Sequence, residues 1–168
     1  QEKILVSLFH AISPRTAGFN TVDYGTFSGN GIAITIVLML IGGAPGSTAG
    51  GMKITTVVIL VISMVSLFQR KRDPAVLGKR ITQDTVISAG AVFTFDLLLF
   101  LSSSIFISCV EKLPLMSTMF ECASAVATVG LSLGLTPTLS AVSKVVLIMI
   151  LYLGRIGAMT MVYAAVSR

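Results

Sequence analysis

Gly42-Gly43-Ala44-Pro45-Gly46-Ser47-Thr48-Ala49-Gly50-Gly51 lies between two apolar runs, residues 32–41 and 52–68. From Ile32 to Phe68 the apolar sequence is longer than the ~20 residues that one untilted membrane helix needs. Five glycines and one proline in these ten residues break any regular helix. Non-helical backbone at membrane depth is tolerated only where it is buried in protein or lines a wet cavity. The stretch therefore predicts a broken span, and a broken span points to a functional site.

Two other motifs share its spacing, and neither fits. Gly46 and Gly51 have the glycine spacing of a nucleotide-binding P-loop. Met52 stands where that motif requires Lys, and Lys53-Ile54 follow where Ser or Thr belongs. Gly46 and Gly50 also match a small-residue helix-packing motif, but Pro45 and the flanking glycine pairs disfavour continuous helix. An unwound loop lining a pore remains, with Ser47 and Thr48 offering hydroxyls to a passing ion.

The composition agrees with a membrane setting. Hydrophobic residues make up 54% of the 168 residues and charged residues 11%, against roughly 25% charged in soluble domains. The surface these residues make must face lipid or other protein. Of the twelve basic residues, Arg70, Lys71, Arg72, Lys79 and Arg80 fall in one short stretch between apolar runs. That is the signature of a cytoplasmic loop. A nucleic-acid surface would spread its cations over a face and interleave aromatics, so nucleic-acid binding is excluded. Cys109 and Cys122 read as small buried apolar residues. Gln1-Glu2-Lys3 opens no signal peptide.

Further apolar runs cover 85–110 and 139–167, and two segments, 4–12 and 115–126, are too short to span. The order repeats. Each short segment leads to Thr-x-Gly-apolar, a polar link and a long apolar run: Phe9 to Phe19 in the first copy, Phe120 to Leu131 in the second. The copies differ by one position, since Thr16 follows Phe9 by seven residues and Thr128 follows Phe120 by eight. A long run precedes the second short segment, and the pattern expects a matching run before the first.

A short helix that enters the membrane and turns back leaves its C-terminal end, with partial negative charge, in the interior. Loop carbonyls beyond that end can replace the hydration shell of an alkali cation. Thr16-Ala17-Gly18-Phe19 and Thr128-Val129-Gly130-Leu131 each suit such a filter, with Gly for the unusual backbone and a Thr hydroxyl as a further oxygen.

Arg155 lies about sixteen residues into the last run, ~24 Å along a helix. An intramembrane Arg faces an interior, paired or wet. It is expected either to pair with helix-end carbonyls or Asp96, or to oppose cation passage and hold the loop. Asp96 is expected to find a structural partner, Arg155 or Lys53, or to bind a cation. Lys53 is expected to fix the lower edge of the loop or to reach the cytoplasm. His10 and Glu121 occupy matched positions after Phe9 and Phe120; hydrogen bonding behind the filter and attraction of ions stay equally open for both. The lone His10 and the scattered acids form no triad, metal cluster or paired carboxylates, so no enzyme is predicted.

The chain resembles the C-terminal half of the Trk/Ktr/HKT superfamily of potassium transporters, most of all the bacterial Ktr membrane subunit. The resemblance rests on Ser13-Pro14-Arg15-Thr16-Ala17-Gly18-Phe19-Asn20-Thr21, on Gly42–Lys53, on Ala127-Thr128-Val129-Gly130-Leu131-Ser132 and on Gly154-Arg155-Ile156-Gly157. It implies an all-α polytopic membrane protein built from helix–pore loop–helix repeats, with one glycine-interrupted transmembrane helix. Residues 1–69 would be a third repeat lacking its first helix, 70–84 a cytoplasmic basic loop, and 85–168 a fourth repeat. The filter residues would be Thr16, Ala17, Gly18, Phe19, Thr128, Val129, Gly130 and Leu131, holding potassium. The gate would comprise Gly42, Gly43, Gly46, Ser47, Thr48, Gly50, Gly51, Lys53 and Arg155. The resemblance further implies potassium uptake across the cell membrane, with possible sodium dependence. It implies a homodimer in lipid and a cytosolic nucleotide-binding regulatory subunit. No covalent cofactor is expected, and the basic loop turns the filters outward. The rival is a secondary transporter with a broken helix and a binding site at mid-membrane.

Overall fold

The computed structural model describes residues 2–15, 17–44, 50–69, 75–76 and 79–156. Helices carry the fold: α1 Glu2–Ile12, α2 Gly29–Leu40, α3 Ile54–Phe68, α4 Gln83–Glu111, α5 Leu115–Val126 and α6 Ala141–Ile156. Short 3-10 turns occupy Tyr24–Thr26 and Thr136–Thr138. The apolar runs become helices within the described residues, the last of them through Ile156, and the glycine-rich stretch, whose residues 45–49 lie outside the described ones, falls between α2 and α3. Within the basic loop, β1 Ala75–Val76 pairs antiparallel with β2 Lys79–Arg80, a ladder too short to leave any periodicity in the sequence. Arg70, Lys71 and Arg72 lie outside the described residues.

Among the described residues, α4 alone is long and apolar enough to cross a bilayer by itself. Its 29 residues rise about 43 Å. Helix α5 is short but nearly enclosed: Thr118 and every residue from Phe120 to Val126 are buried, and α2, α4 and α6 pack around it. Cys122, Ala123, Ser124 and Ala125 on this helix are small enough to let neighbouring backbones approach closely. The outer helices instead expose large apolar side chains, among them Ile4, Leu67, Phe68, Leu98 and Ile148. Apolar side chains on the outer faces in such number mark surface that suits an apolar environment or a partner.

The same order of elements occurs twice. The 3-10 turns begin at Tyr24 and Thr136, and the helices after them at Gly29 and Ala141, each pair 112 residues apart. Ser28 caps α2 by accepting from Gly31 N at 3.3 Å. Ser140, at the same register, precedes α6 and receives Lys144 N at its main-chain carbonyl, 3.0 Å. The side chains of Ser140 and Ser143 both donate to Oε1 of Glu111, and Ser140 N joins them at 3.0 Å, which ties the end of α4 to the start of α6.

Candidate functional site

Both short helices end in a loop that folds back on its own last turn. After α1, Ala17 N donates to Ser13 O at 3.1 Å and Gly18 N to the same oxygen at 3.3 Å. After α5, Thr128 N donates to Ala125 O at 3.1 Å and Val129 N to Ser124 O at 2.9 Å. Ser13 and Ser124 are matched residues, yet Ala17 N reaches Ser13 O over four residues whereas its counterpart Val129 N reaches Ser124 O over five. The one-position mismatch between the copies is therefore absorbed at the helix end, before the glycine.

Gly18 and Gly130 both sit in the left-handed region, at φ 73° and 89°, where an L side chain is strained. Gly18 also faces Val129 so closely that a Cβ on Gly18 would collide with the Val129 carbonyl oxygen. The two Thr-x-Gly segments thus meet, backbone against backbone. Ala17 and Phe19 are exposed, Gly18 and Thr128 half-buried, Val129 and Leu131 buried, and Gly130 exposed. Thr16 lies outside the described residues.

Behind the two loops the supports differ. Oε1 of Glu121, a buried residue of α5, accepts from Ser132 Oγ at 2.7 Å and Leu133 N at 2.9 Å. Its Oε2 accepts from Thr136 Oγ1 at 2.9 Å. The carboxylate therefore holds the chain that follows Gly130, which places Glu121 in hydrogen bonding behind the loop. The matched residue His10 is held differently. Its Nδ1 lies 2.9 Å from Val6 O, and its ring packs on Tyr24 and Phe27 with centroids 5.2 and 5.4 Å away. Tyr24 in turn meets Phe120 of α5 at 5.5 Å. Tyr24 and Thr136 occupy the same register, so an aromatic contact on one side replaces a hydrogen bond on the other. His10 Nε2 and Tyr24 Oη are buried without a hydrogen-bond partner among the described residues. The Ser13 hydroxyl closes the first loop by donating to Phe19 O.

The described ends of the stretch between α2 and α3 sit against the second loop. Its two edges pair: Ile41 and Met52 form a parallel bridge, Gly42 N donates to Met52 O at 2.8 Å, and Ile54 N to Gly43 O at 3.4 Å. Gly50 N donates to Thr128 Oγ1 at 2.9 Å. A Cβ on Gly50 would stand 2.7 Å from Thr128 Cγ2 and 2.8 Å from Gly154 O, so only glycine allows this approach. One on Gly51 would be 3.1 Å from Ala127 Cα. Gly46, Ser47 and Thr48 lie outside the described residues. Lys53 is exposed and makes no side-chain cap to α3.

Helix α6 completes the arrangement. Gly154 packs directly on the Val126 carbonyl, where a Cβ would collide, and Arg155 follows it, exposed. Gly154 and Gly42 are also 112 residues apart. Arg155 thus occupies in the second copy the register at which the first copy breaks, a relation the sequence reading missed and the Ser28/Ser140 pair reveals. Asp96 is buried in the middle of α4, and its Oδ2 has no hydrogen-bond partner among the described residues. Cys109 and Cys122 are both free thiols, the first exposed.

A cleft of about 360 Å³ opens beside this site, lined by Glu121, Gly130, Ser132, Lys144, Leu147 and Leu151 among others.

Residues 1–167 match the TrkH family model, described as cation transport protein. The potassium/sodium uptake protein NtpJ of Enterococcus hirae is 40% identical over 167 residues, covering 97% of this chain and 37% of its own length. The Ktr system potassium uptake protein B of Bacillus subtilis is 36% identical, over 97% of this chain and 37% of its own. Its namesake in Vibrio alginolyticus is 35% identical, over 95% and 35%. The chain thus spans little more than a third of the length of these curated relatives.

Proposed function

This chain belongs to the TrkH family of cation transport proteins, and on that premise we propose that it supplies two filter segments and the gate of a pathway for potassium uptake. The observation that carries the proposal is the meeting of Gly18 and Val129. It brings together two loops that each follow the C-terminal end of a short helix, so two partially negative helix ends converge on one place. Main-chain carbonyls of 16–19 and 128–131 then take over potassium's hydration shell. The named relatives take up potassium, or potassium and sodium.

In this reading residues 1–69 are one pore repeat, 70–84 the cytoplasmic loop and 85–168 another, in a polytopic membrane protein whose filters face outward. The 42–51 stretch is the gate beneath the filter, its edges pinned by Met52 and Thr128. Arg155 sets a positive charge beside it and opposes cation passage. The pathway is passive; no chemical reaction is assigned to the chain. Potassium is cargo, and sodium acts as a coupled or activating ion. The assembly is a homodimer in lipid, regulated by a cytosolic nucleotide-binding subunit. In support, two of the relatives are named as protein B of a Ktr system, which implies further components.

Gly130→Ser in the complete protein tests the filter. A Cβ at Gly130 meets nothing within 4 Å, so the substitution acts through the left-handed backbone and not through a clash. Potassium-over-sodium selectivity in proteoliposome flux should fall by about tenfold or more, the equivalent of ~1.4 kcal/mol. Unchanged selectivity would count against the filter and favour a mid-membrane carrier.

A further inference from the structure

The hydrogen bond between Gly50 N and Thr128 Oγ1, 2.9 Å long, links residues 78 positions apart. Both of its ends are unusual. Thr128 has φ 53°, a conformation that a β-branched residue rarely adopts. Two main-chain bonds keep it there, its own N–H on Ala125 and that of Val129 on Ser124. Gly50 is buried, and its approach to Thr128 and to Gly154 O leaves no room for a side chain. On the far side of Gly50, Met52 O is held by Gly42 N. The exit of the glycine-rich stretch is therefore fastened on one side to the end of α2 and on the other to the base of the second filter loop.

Strained backbone persists where the surroundings over-determine it, and it clusters at switch regions. Here the strained residue directs its one hydroxyl to the segment read as the gate. A hydroxyl has two lone pairs and one proton, and the Gly50 N–H occupies one lone pair. We propose that Thr128 is a positioning residue whose hydroxyl latches the gate loop shut against the filter base, so that opening the loop requires release of the Gly50 bond. The inference rests on reading 42–51 as a gate. It gives the Thr128 hydroxyl to the closed gate and the Thr128 carbonyl to the ion.

The test uses the complete protein in proteoliposomes, with rubidium-tracer uptake in the absence of any activating partner. Thr128→Val keeps the side-chain shape and removes the hydroxyl. It should raise basal uptake by about five- to tenfold, the shift that loss of one net hydrogen bond produces. Thr128→Ser, which restores a hydroxyl, should return uptake towards the low, closed level. Gly50→Ala attacks the same bond from the other side and should also raise uptake. Combined with Thr128→Val it should add nothing further, which keeps the test open if either single variant folds poorly. Deleting Gly43–Gly50 separates the latch from the gate. If the deletion raises uptake and Thr128→Val does not, the latch is wrong and the gate stands. If Thr128→Val lowers uptake and weakens the concentration dependence on rubidium, the hydroxyl is an ion ligand and the latch is overturned. If the deletion itself leaves uptake low, the gate falls and the latch with it.

Discussion

The hydroxyl of Ser132 donates to Oε1 of Glu121 across 2.7 Å, from the chain that follows Gly130 back to the helix that precedes it. Leu133 N and Thr136 Oγ1 share the same carboxylate, so one buried side chain fixes the whole turn that follows Gly130.

Glu121→Gln retains the shape but replaces one acceptor oxygen with a donor, and it strands either Thr136 Oγ1 or the Ser132–Leu133 pair. An unmade buried hydrogen bond costs about 1–3 kcal/mol. The complete protein should lose thermal stability in detergent, and its potassium-over-sodium flux ratio should drop. Glu121→Ala, which strands all three donors, should be worse on both measures. Lower stability with selectivity intact would confine Glu121 to folding.

Tyr24 is fully buried, and its hydroxyl has no partner among the described residues. Removing a buried, unsatisfied hydroxyl relieves its desolvation penalty. Tyr24→Phe should therefore leave the melting temperature unchanged or raise it, with the packing against His10, Phe27 and Phe120 preserved. A fall of several degrees by scanning fluorimetry would mean that this hydroxyl finds an acceptor elsewhere in the complete protein.

Gly154→Ala places a methyl group against the main chain of Val126, at its carbonyl oxygen. Backbone cannot yield as a flexible side chain does, so α6 must move off α5 at the base of the second Thr-x-Gly loop. Overpacking of this kind costs about 1–3 kcal/mol or more. Reduced melting temperature and reduced uptake are expected together, and an unaltered protein would contradict the close contact.

Arg155→Gln removes the positive charge at the register where the other copy breaks. Potassium uptake should rise severalfold, because a charge opposing cations in a low-dielectric passage is worth on the order of a kcal/mol or more. Arg155→Lys should restore part of the block, since it keeps charge but not the planar fork. A flux lower than wild type in both variants would assign Arg155 to holding structure instead.

Much of the fold was legible because lipid imposes long apolar runs. The 85–110 and 115–126 segments became Gln83–Glu111 and Leu115–Val126, and 4–12 became Glu2–Ile12. Glycines at 18 and 130 were legible because left-handed backbone selects them. The Gly50–Thr128 bond was not, since nothing local marks a contact over 78 positions. The unequal Thr spacing looked like a flaw in the repeat. It is the difference between a four-residue and a five-residue helix-end closure, which single-residue spacing cannot distinguish from drift. Glu121 and His10 invited one shared role from their matched positions. The residues they meet, Thr136 and Tyr24, differ in chemistry, and that difference sits fifteen and fourteen positions away in sequence.

That difference has a thermal meaning. Aromatic burial around His10 and Tyr24 draws its stabilisation from the exclusion of water, which weakens on cooling. The Glu121 hydrogen bonds do not share that origin. The two loops thus rest on braces with unlike responses to cold, and chilling should loosen the Gly18 side before the Gly130 side.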